Sequence, residues 1–137
     1  MLIAWLLNVL ALMFGAGLGA RALIDPRWAA RFVRLAPDEQ GGGFAEFRAT
    51  YGGVFLGLHA AALLLALRYL LSGGALIGVA AAGASAALAA GWAGSAFGRA
   101  VAIWRDGADT RFNRLSVVVE AGIALAIAAP WIAWLVS

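Results

Sequence analysis

Apolar residues form four long runs along this chain, at about residues 2–24, 49–71, 75–104 and 115–136. A helix needs about 20 mostly apolar residues to cross the hydrocarbon of a bilayer, because each residue rises about 1.5 Å. Inside lipid the backbone must satisfy its own hydrogen bonds, and the runs lack the short alternating segments of a closed barrel. The pattern therefore predicts an all-α integral membrane bundle of four transmembrane helices, forming a single domain over residues 1–137.

The first run is preceded by no basic segment and is too long for the apolar part of a signal peptide, so we expect it to remain as a helix. The connection after it begins with Asp25 and Pro26, a residue that caps helices followed by one that suits a first helical turn. A short interfacial helix reaching to about Leu35 is predicted there, with Trp28 on its apolar face. The glycine-rich residues 37–43 are expected to form a flexible cytoplasmic loop.

Composition agrees with a membrane protein, since 64% of the 137 residues are hydrophobic and 12% are charged. The chain has no cysteine, which excludes disulfides and thiolate chemistry. Its ten basic residues are all arginines, and they lie near the ends of the predicted helices. The formal net charge of +3 therefore indicates membrane topology and not a nucleic-acid partner.

The arginines are distributed unequally between the two sides. Nine belong to the first and third connections, and one lies on the other side: Arg21, Arg27, Arg31, Arg34, Arg48, Arg99, Arg105, Arg111 and Arg114 against Arg68. Because positive charge stays in the cytoplasm, both termini are predicted to lie outside it. Aromatic residues fit the same topology, with Trp28 and Trp104 at the cytoplasmic interface and Trp5, Tyr69, Trp131 and Trp134 at the outer one.

Glycine pairs four residues apart indicate where helices approach each other. Small residues permit close backbone contact, which supplies much of the association energy in lipid. The predicted packing pairs are Gly15 with Gly19, Gly53 with Gly57, and Gly94 with Gly98. Pro130 is expected to kink the fourth helix near its outer end.

Ionisable groups within the spans are candidates for a polar site, because they are expensive in hydrocarbon. The predicted cluster is Glu46, Arg48, Tyr51, His59, Arg99 and Glu120. In one interpretation His59 titrates, the glutamates relay protons and Arg48 holds an anion. In the other, which we favour, the glutamates neutralise Arg48 and Arg99, and His59 makes a hydrogen bond to a neighbouring helix.

Five segments of the chain form a recognisable set of motifs: Ala22-Leu23-Ile24-Asp25-Pro26, Glu46-Phe47-Arg48-Ala49-Thr50-Tyr51-Gly52-Gly53, Leu56-Gly57, Gly98-Arg99 and Asp106-Gly107. These segments resemble those of small bacterial membrane proteins catalogued as domain of unknown function 4345, which are broadly similar to DoxX-type proteins. The resemblance covers nearly the whole chain and implies a four-helix protein of the bacterial inner membrane, with Glu120 also at a typical position. It implies no reaction, and His59 lies outside its pattern.

These patterns favour a non-catalytic accessory or structural subunit within a membrane complex, with lipids and other membrane subunits or a second copy as partners. The alternatives are a small transporter or proton-coupled carrier, and a membrane enzyme acting on lipid or quinone. The residues contain no recognised catalytic constellation or paired metal-ligand motif, and they indicate no particular cofactor.

Overall fold

A computed structural model describes residues 1–36, 40 and 42–136 of the protein. Pro37, Asp38, Glu39 and Gly41, which belong to the predicted loop 37–43, lie outside the described residues, as does Ser137. The described residues form five helices and no strand: α1 (Leu2–Ile24), α2 (Pro26–Val33), α3 (Gly42–Ser72), α4 (Ala75–Arg105) and α5 (Arg111–Leu135).

All of these helices except α2 are long and apolar enough to cross a membrane. This confirms the predicted fold class, an all-α membrane protein with four spanning helices and a short helix in the first connection. The chain is a multi-pass membrane protein.

Two spans begin earlier than the apolar runs suggest. α5 begins at Arg111 because Thr110 caps it, its Oγ1 accepting a hydrogen bond of 3.1 Å from the backbone N–H of Asn113. α3 begins at Gly42, inside the segment that was expected to be a loop. Glycine is tolerated at a helix start, where it is among the residues found at the N-cap position.

α2 forms where the Asp25-Pro26 pair predicts it. The Asp25 carboxylate accepts a hydrogen bond of 3.0 Å from the backbone N–H of Trp28. The helix ends at Val33, two residues before the predicted end, because Arg34 adopts a left-handed conformation with φ of 62°. α2 packs against the start of α3 around a small core of Ala22, Ala29, Ala30 and Phe47.

The backbone of α3 is π-helical from Phe47 to Val54 and α-helical from Phe55 to Ser72. A π-helix bonds each N–H to the carbonyl five residues earlier, and it is rare outside functional or strained positions. The π-helical stretch overlaps the Glu46 to Gly53 motif. Side chains before Phe55 therefore point in other directions around the helix axis than a continuous α-helix would give them.

The chain forms two compact units: the first consists of Met1–Ala11 with Leu65–Ser137, and the second of Leu12–Leu64. In the first unit α4 packs along α5, with Ala81, Ser85 and Ala89 buried on α4. A short connection joins these helices, with Gly107 at φ of 66° and the Asn113 side chain donating to the Ala108 carbonyl. In the second unit α1 packs on α3.

Candidate functional site

An ion pair between Arg99 of α4 and Glu120 of α5 lies in the first unit. Arg99 Nε donates to Glu120 Oε1 at 2.7 Å, and the Glu120 side chain is 10% exposed. The guanidinium group also lies 6.0 Å from the centre of the Phe112 ring. Glu120 Oε2 is buried and accepts no hydrogen bond from the described residues. A carboxylate paired through one oxygen keeps the other as an acceptor for a proton or a donor group.

His59 of α3 is fully buried in the second unit against α1. Its Nδ1 lies 2.7 Å from the Phe55 carbonyl oxygen, one helical turn earlier. Its ring occupies the space next to Gly15, where an added Cβ would lie 2.1 Å from His59 Cδ2. The imidazole therefore fills a position that only a glycine on α1 leaves open.

Arg48 stabilises the end of α1. Its Nη1 donates to the carbonyl oxygen of Leu23, in the last turn of that helix. The last carbonyls of a helix lack intrahelical partners and carry partial negative charge, so a cation there is favourable. Gly52 lies beside Leu23 as well: a Cβ added to Gly52 would be 2.8 Å from Leu23 Cα. Two residues of the motif therefore hold the end of α1 against α3.

Glu46 and Tyr51, the other motif side chains of the predicted cluster, are exposed. The ring of Tyr51 contacts that of Phe47, with 5.4 Å between their centres. Of the six predicted polar residues, the structure pairs Arg99 with Glu120 in the first unit. The other four lie in the second unit, where His59 Nδ1 lies near the Phe55 carbonyl and Arg48 donates to the Leu23 carbonyl.

The predicted glycine pairs differ from one another in the structure. A Cβ on Gly19 would lie 2.5 Å from the backbone nitrogen of Leu56, so Gly15 and Gly19 both lie at close contacts between α1 and α3. On α3 it is Gly52 that faces α1, since the π-helical stretch alters the phase of this segment. A Cβ on Gly53 would lie 3.5 Å from the Arg48 carbonyl oxygen, which belongs to the same helix.

Gly57, Gly94 and Gly98 have no described atom within 4 Å of an added Cβ, beyond the helix backbone around each glycine. These three glycines lie at no close helix contact of the described chain. Their spacing predicted a close approach, but spacing does not specify which helix faces them.

A buried polar link in the first unit was not among the predicted site residues. The Asn8 side-chain amide donates to Ser85 Oγ at 2.9 Å and to the Ile127 carbonyl at 2.6 Å, joining α1, α4 and α5. The Ile127 carbonyl is one residue after Ala126, whose carbonyl loses its usual donor because Pro130 has no N–H. Asn8, the one carboxamide in α1, was the available signal in the sequence.

The described part of the chain contains no group of three or more histidine, cysteine, aspartate or glutamate side chains that could hold a metal ion. Comparisons of the chain with protein-family models, curated proteins and solved structures found no match.

Proposed function

We propose that this protein is a non-catalytic accessory subunit that packs within a membrane complex through one face of α4. The observation that supports it is an exposed strip of small residues, here called the α4 small face: Gly83, Ala87, Gly91, Gly94 and Gly98. At 3.6 residues per turn these five positions fall within an arc of about 80° and extend over about 22 Å of helix.

The α4 small face is open along its length. A Cβ on any of its four glycines would meet no described atom within 4 Å other than nearby backbone of α4. No side chain larger than a methyl group projects from these positions, so another helix can approach the backbone of α4 closely. Such approach is the main source of association energy between helices in lipid.

Another exposed face of the protein has the opposite character. Leu10, Met13 and Phe14 of α1 are 64%, 55% and 49% exposed and are large apolar side chains suited to acyl chains. Gly17 follows them on the same face and is also open. The protein therefore carries one exposed helix face suited to lipid and one suited to a partner helix.

We extend the proposal to location and family. The arginine distribution supports a topology with both termini outside the cytoplasm, and the resemblance to the small bacterial family supports the bacterial inner membrane. The motif from Glu46 to Gly53 supports membership of the family catalogued as domain of unknown function 4345. In this chain the same motif holds α1 against α3.

Affinity purification from the native membrane in mild detergent tests the accessory role. Three tagged chains are compared: the wild type, Gly94→Leu on the α4 small face and Gly17→Leu on the α1 face, both glycines being open in the structure. We expect a stoichiometric partner protein with the wild type and Gly17→Leu. Leucine at 94 separates the helices, and overpacking of about 1–3 kcal/mol weakens capture roughly five- to a hundredfold.

The proposal is contradicted if the wild type emerges alone or only with its own copies. Retention of the partner by Gly94→Leu at the wild-type level also contradicts it.

A proton-coupled carrier is a second candidate, supported by the unpartnered Oε2 of Glu120. Its test is proton flux into liposomes containing the purified chain. A carrier that uses this oxygen loses flux in Glu120→Gln and retains it in Glu46→Gln, whose parent side chain is exposed. Flux equal to that of empty liposomes excludes the carrier role.

A further inference from the structure

The short helix α2 has two different strips on its outer surface. Its inner side packs in the small core of the second unit. At 3.6 residues per turn, Arg27 and Arg31 lie together on one outer strip, and both are exposed. Trp28 and Phe32 lie on the strip beside it, and their rings stack with 5.0 Å between centres. The outer surface of α2 therefore places positive charge next to aromatic rings.

The arginines around this surface lie against aromatic rings and not against carboxylates. The Arg21 guanidinium lies 4.5 Å from the centre of the Trp28 ring. The Arg27 guanidinium lies 5.8 Å from the centre of the Phe44 ring. Arg21, Arg27 and Arg31 form no ion pair with a carboxylate of the described chain. Because a ring face does not neutralise the charge, these three guanidinium groups keep N–H donors for an anion.

The position of α2 in the chain brings this surface to the edge of the membrane. The spanning helix α1 ends at Ile24, and α2 begins at Pro26. Residues 12–36 contain four arginines and a single acidic residue, Asp25, whose carboxylate caps α2. Phe32 and Leu35 add exposed apolar side chains. Unpaired positive charge beside apolar side chains at a bilayer surface matches the two parts of an anionic phospholipid.

We propose that Arg21, Arg27 and Arg31, here called the α2 arginine face, bind the headgroup of an anionic phospholipid such as phosphatidylglycerol. Guanidinium groups donate to the phosphate oxygens, and Phe32 and Leu35 contact the acyl chains. A zwitterionic lipid offers the same phosphate, but the arginines repel its ammonium group. The site uses no residue of the α4 small face and requires no partner protein, so it goes beyond the accessory role.

Native mass spectrometry of the purified full-length protein in mild detergent tests the site. Phosphatidylglycerol and phosphatidylethanolamine with identical acyl chains are added at equal concentrations, and the ratio of the two complexes with one lipid is measured. We expect the wild type to favour phosphatidylglycerol at least about tenfold, because each arginine near an anionic headgroup contributes roughly fivefold. Arg27→Gln/Arg31→Gln should lower the ratio roughly ten- to thirtyfold.

A matched control separates the α2 arginine face from net charge. Arg105→Gln/Arg111→Gln removes the same charge from two exposed arginines of the first unit, next to the connection between α4 and α5. This control should keep the wild-type ratio. All four substituted side chains are exposed, and surface changes of this kind have little effect on folding.

Glycerol 3-phosphate distinguishes a lipid from a free phosphate ester, because it carries the same phosphate without acyl chains. Added at the concentration of the lipid, it should leave the lipid complexes unchanged, since it lacks the parts that contact Phe32 and Leu35.

Equal uptake of the two lipids by the wild type overturns the proposal. A preference that persists in Arg27→Gln/Arg31→Gln, or falls as far in Arg105→Gln/Arg111→Gln, overturns it as well. Displacement of phosphatidylglycerol by an equal concentration of glycerol 3-phosphate would assign the face to a free phosphate ester and overturn the lipid assignment.

Discussion

The glycines of α1 and those of α4 follow the same spacing and have opposite surroundings. Gly15 and Gly19 meet His59 and Leu56 of α3 so closely that neither position has room for a Cβ. Gly94 and Gly98 meet no described atom beyond the nearby backbone of their own helix. Spacing of small residues therefore indicates that a helix can be approached, and the fold decides whether the approaching helix belongs to the same chain.

The contact between α1 and α3, here called the α1–α3 seam, has a regular register. Gly15 meets His59, Gly19 meets Leu56, and Leu23 meets Gly52. Each step of four residues forward along α1 thus matches a step of three or four residues backward along α3, as in antiparallel helices packed at close range. Each pair includes one glycine. The α4 small face offers a comparable surface of small residues, but no described helix lies against its glycines.

The largest predicted effect is at Gly19, because the atoms that would overlap with a new Cβ belong to the backbone of Leu56. Gly19→Ala should destabilise the protein by about 3 kcal/mol, since the two helices must move apart. Reversible unfolding in detergent measures the loss. The control is Gly17→Ala, which is open in the structure and should be neutral or slightly stabilising. Equal effects of the two changes would contradict the α1–α3 seam.

A double-mutant cycle at Gly15 and His59 tests the next contact. Gly15→Ala should cost about 2 kcal/mol, because the new methyl group overlaps the buried imidazole. In a His59→Ala background the same change should cost almost nothing, which gives a coupling energy above about 1 kcal/mol. Additive effects in the unfolding free energy would show that the ring and the glycine do not meet.

The hydrogen bond between Asn8 and Ser85, on the buried side of α4, is expected to contribute less to stability than the contacts of Gly19 and Gly15. Ser85→Ala removes one of the two acceptors of the Asn8 amide and leaves the Ile127 carbonyl. Hydrogen bonds between membrane helices contribute about 0.6 kcal/mol on average, so a loss of that size is predicted in the same unfolding assay. Ser95→Ala, at an exposed position of the same helix, serves as the matched control. A larger loss in the control would refute the assignment.

The smallest loss of stability in the isolated chain, or none, is predicted on the α4 small face. Gly94→Ala should leave the unfolding free energy unchanged or raise it by up to about 1 kcal/mol, because alanine favours a helix and the position is open. The sign is opposite to that predicted for Gly19→Ala. Destabilisation of the purified chain by more than about 1 kcal/mol would mean that Gly94 already packs within the protein.

The spanning helices and α2 were predictable because their causes are local. Hydrocarbon thickness sets the length of an apolar run, and Asp25 followed by Pro26 starts a helix. The π-helical stretch from Phe47 to Val54 was not predicted. A π-helix has no residue spacing by which the sequence reveals it. This one accompanies the contact of Gly52 with Leu23 on another helix.

The candidate sites divide in the same way. Neutralisation of Arg99 by Glu120 followed from the cost of charge in lipid, and the ion pair is present. The partners of Asn8 were not predictable, since Ser85 and Ile127 are 77 and 119 residues away and single polar residues do not specify a partner.

The most direct test of the accessory role is photo-crosslinking in the native membrane. A photoreactive amino acid is placed at Ala87, in the middle of the α4 small face, and in a separate protein at Met13, on the large-residue face of α1. Both residues are exposed. The account predicts a discrete adduct with a different protein from position 87 and only lipid adducts from position 13. Lipid adducts alone from both positions would contradict it.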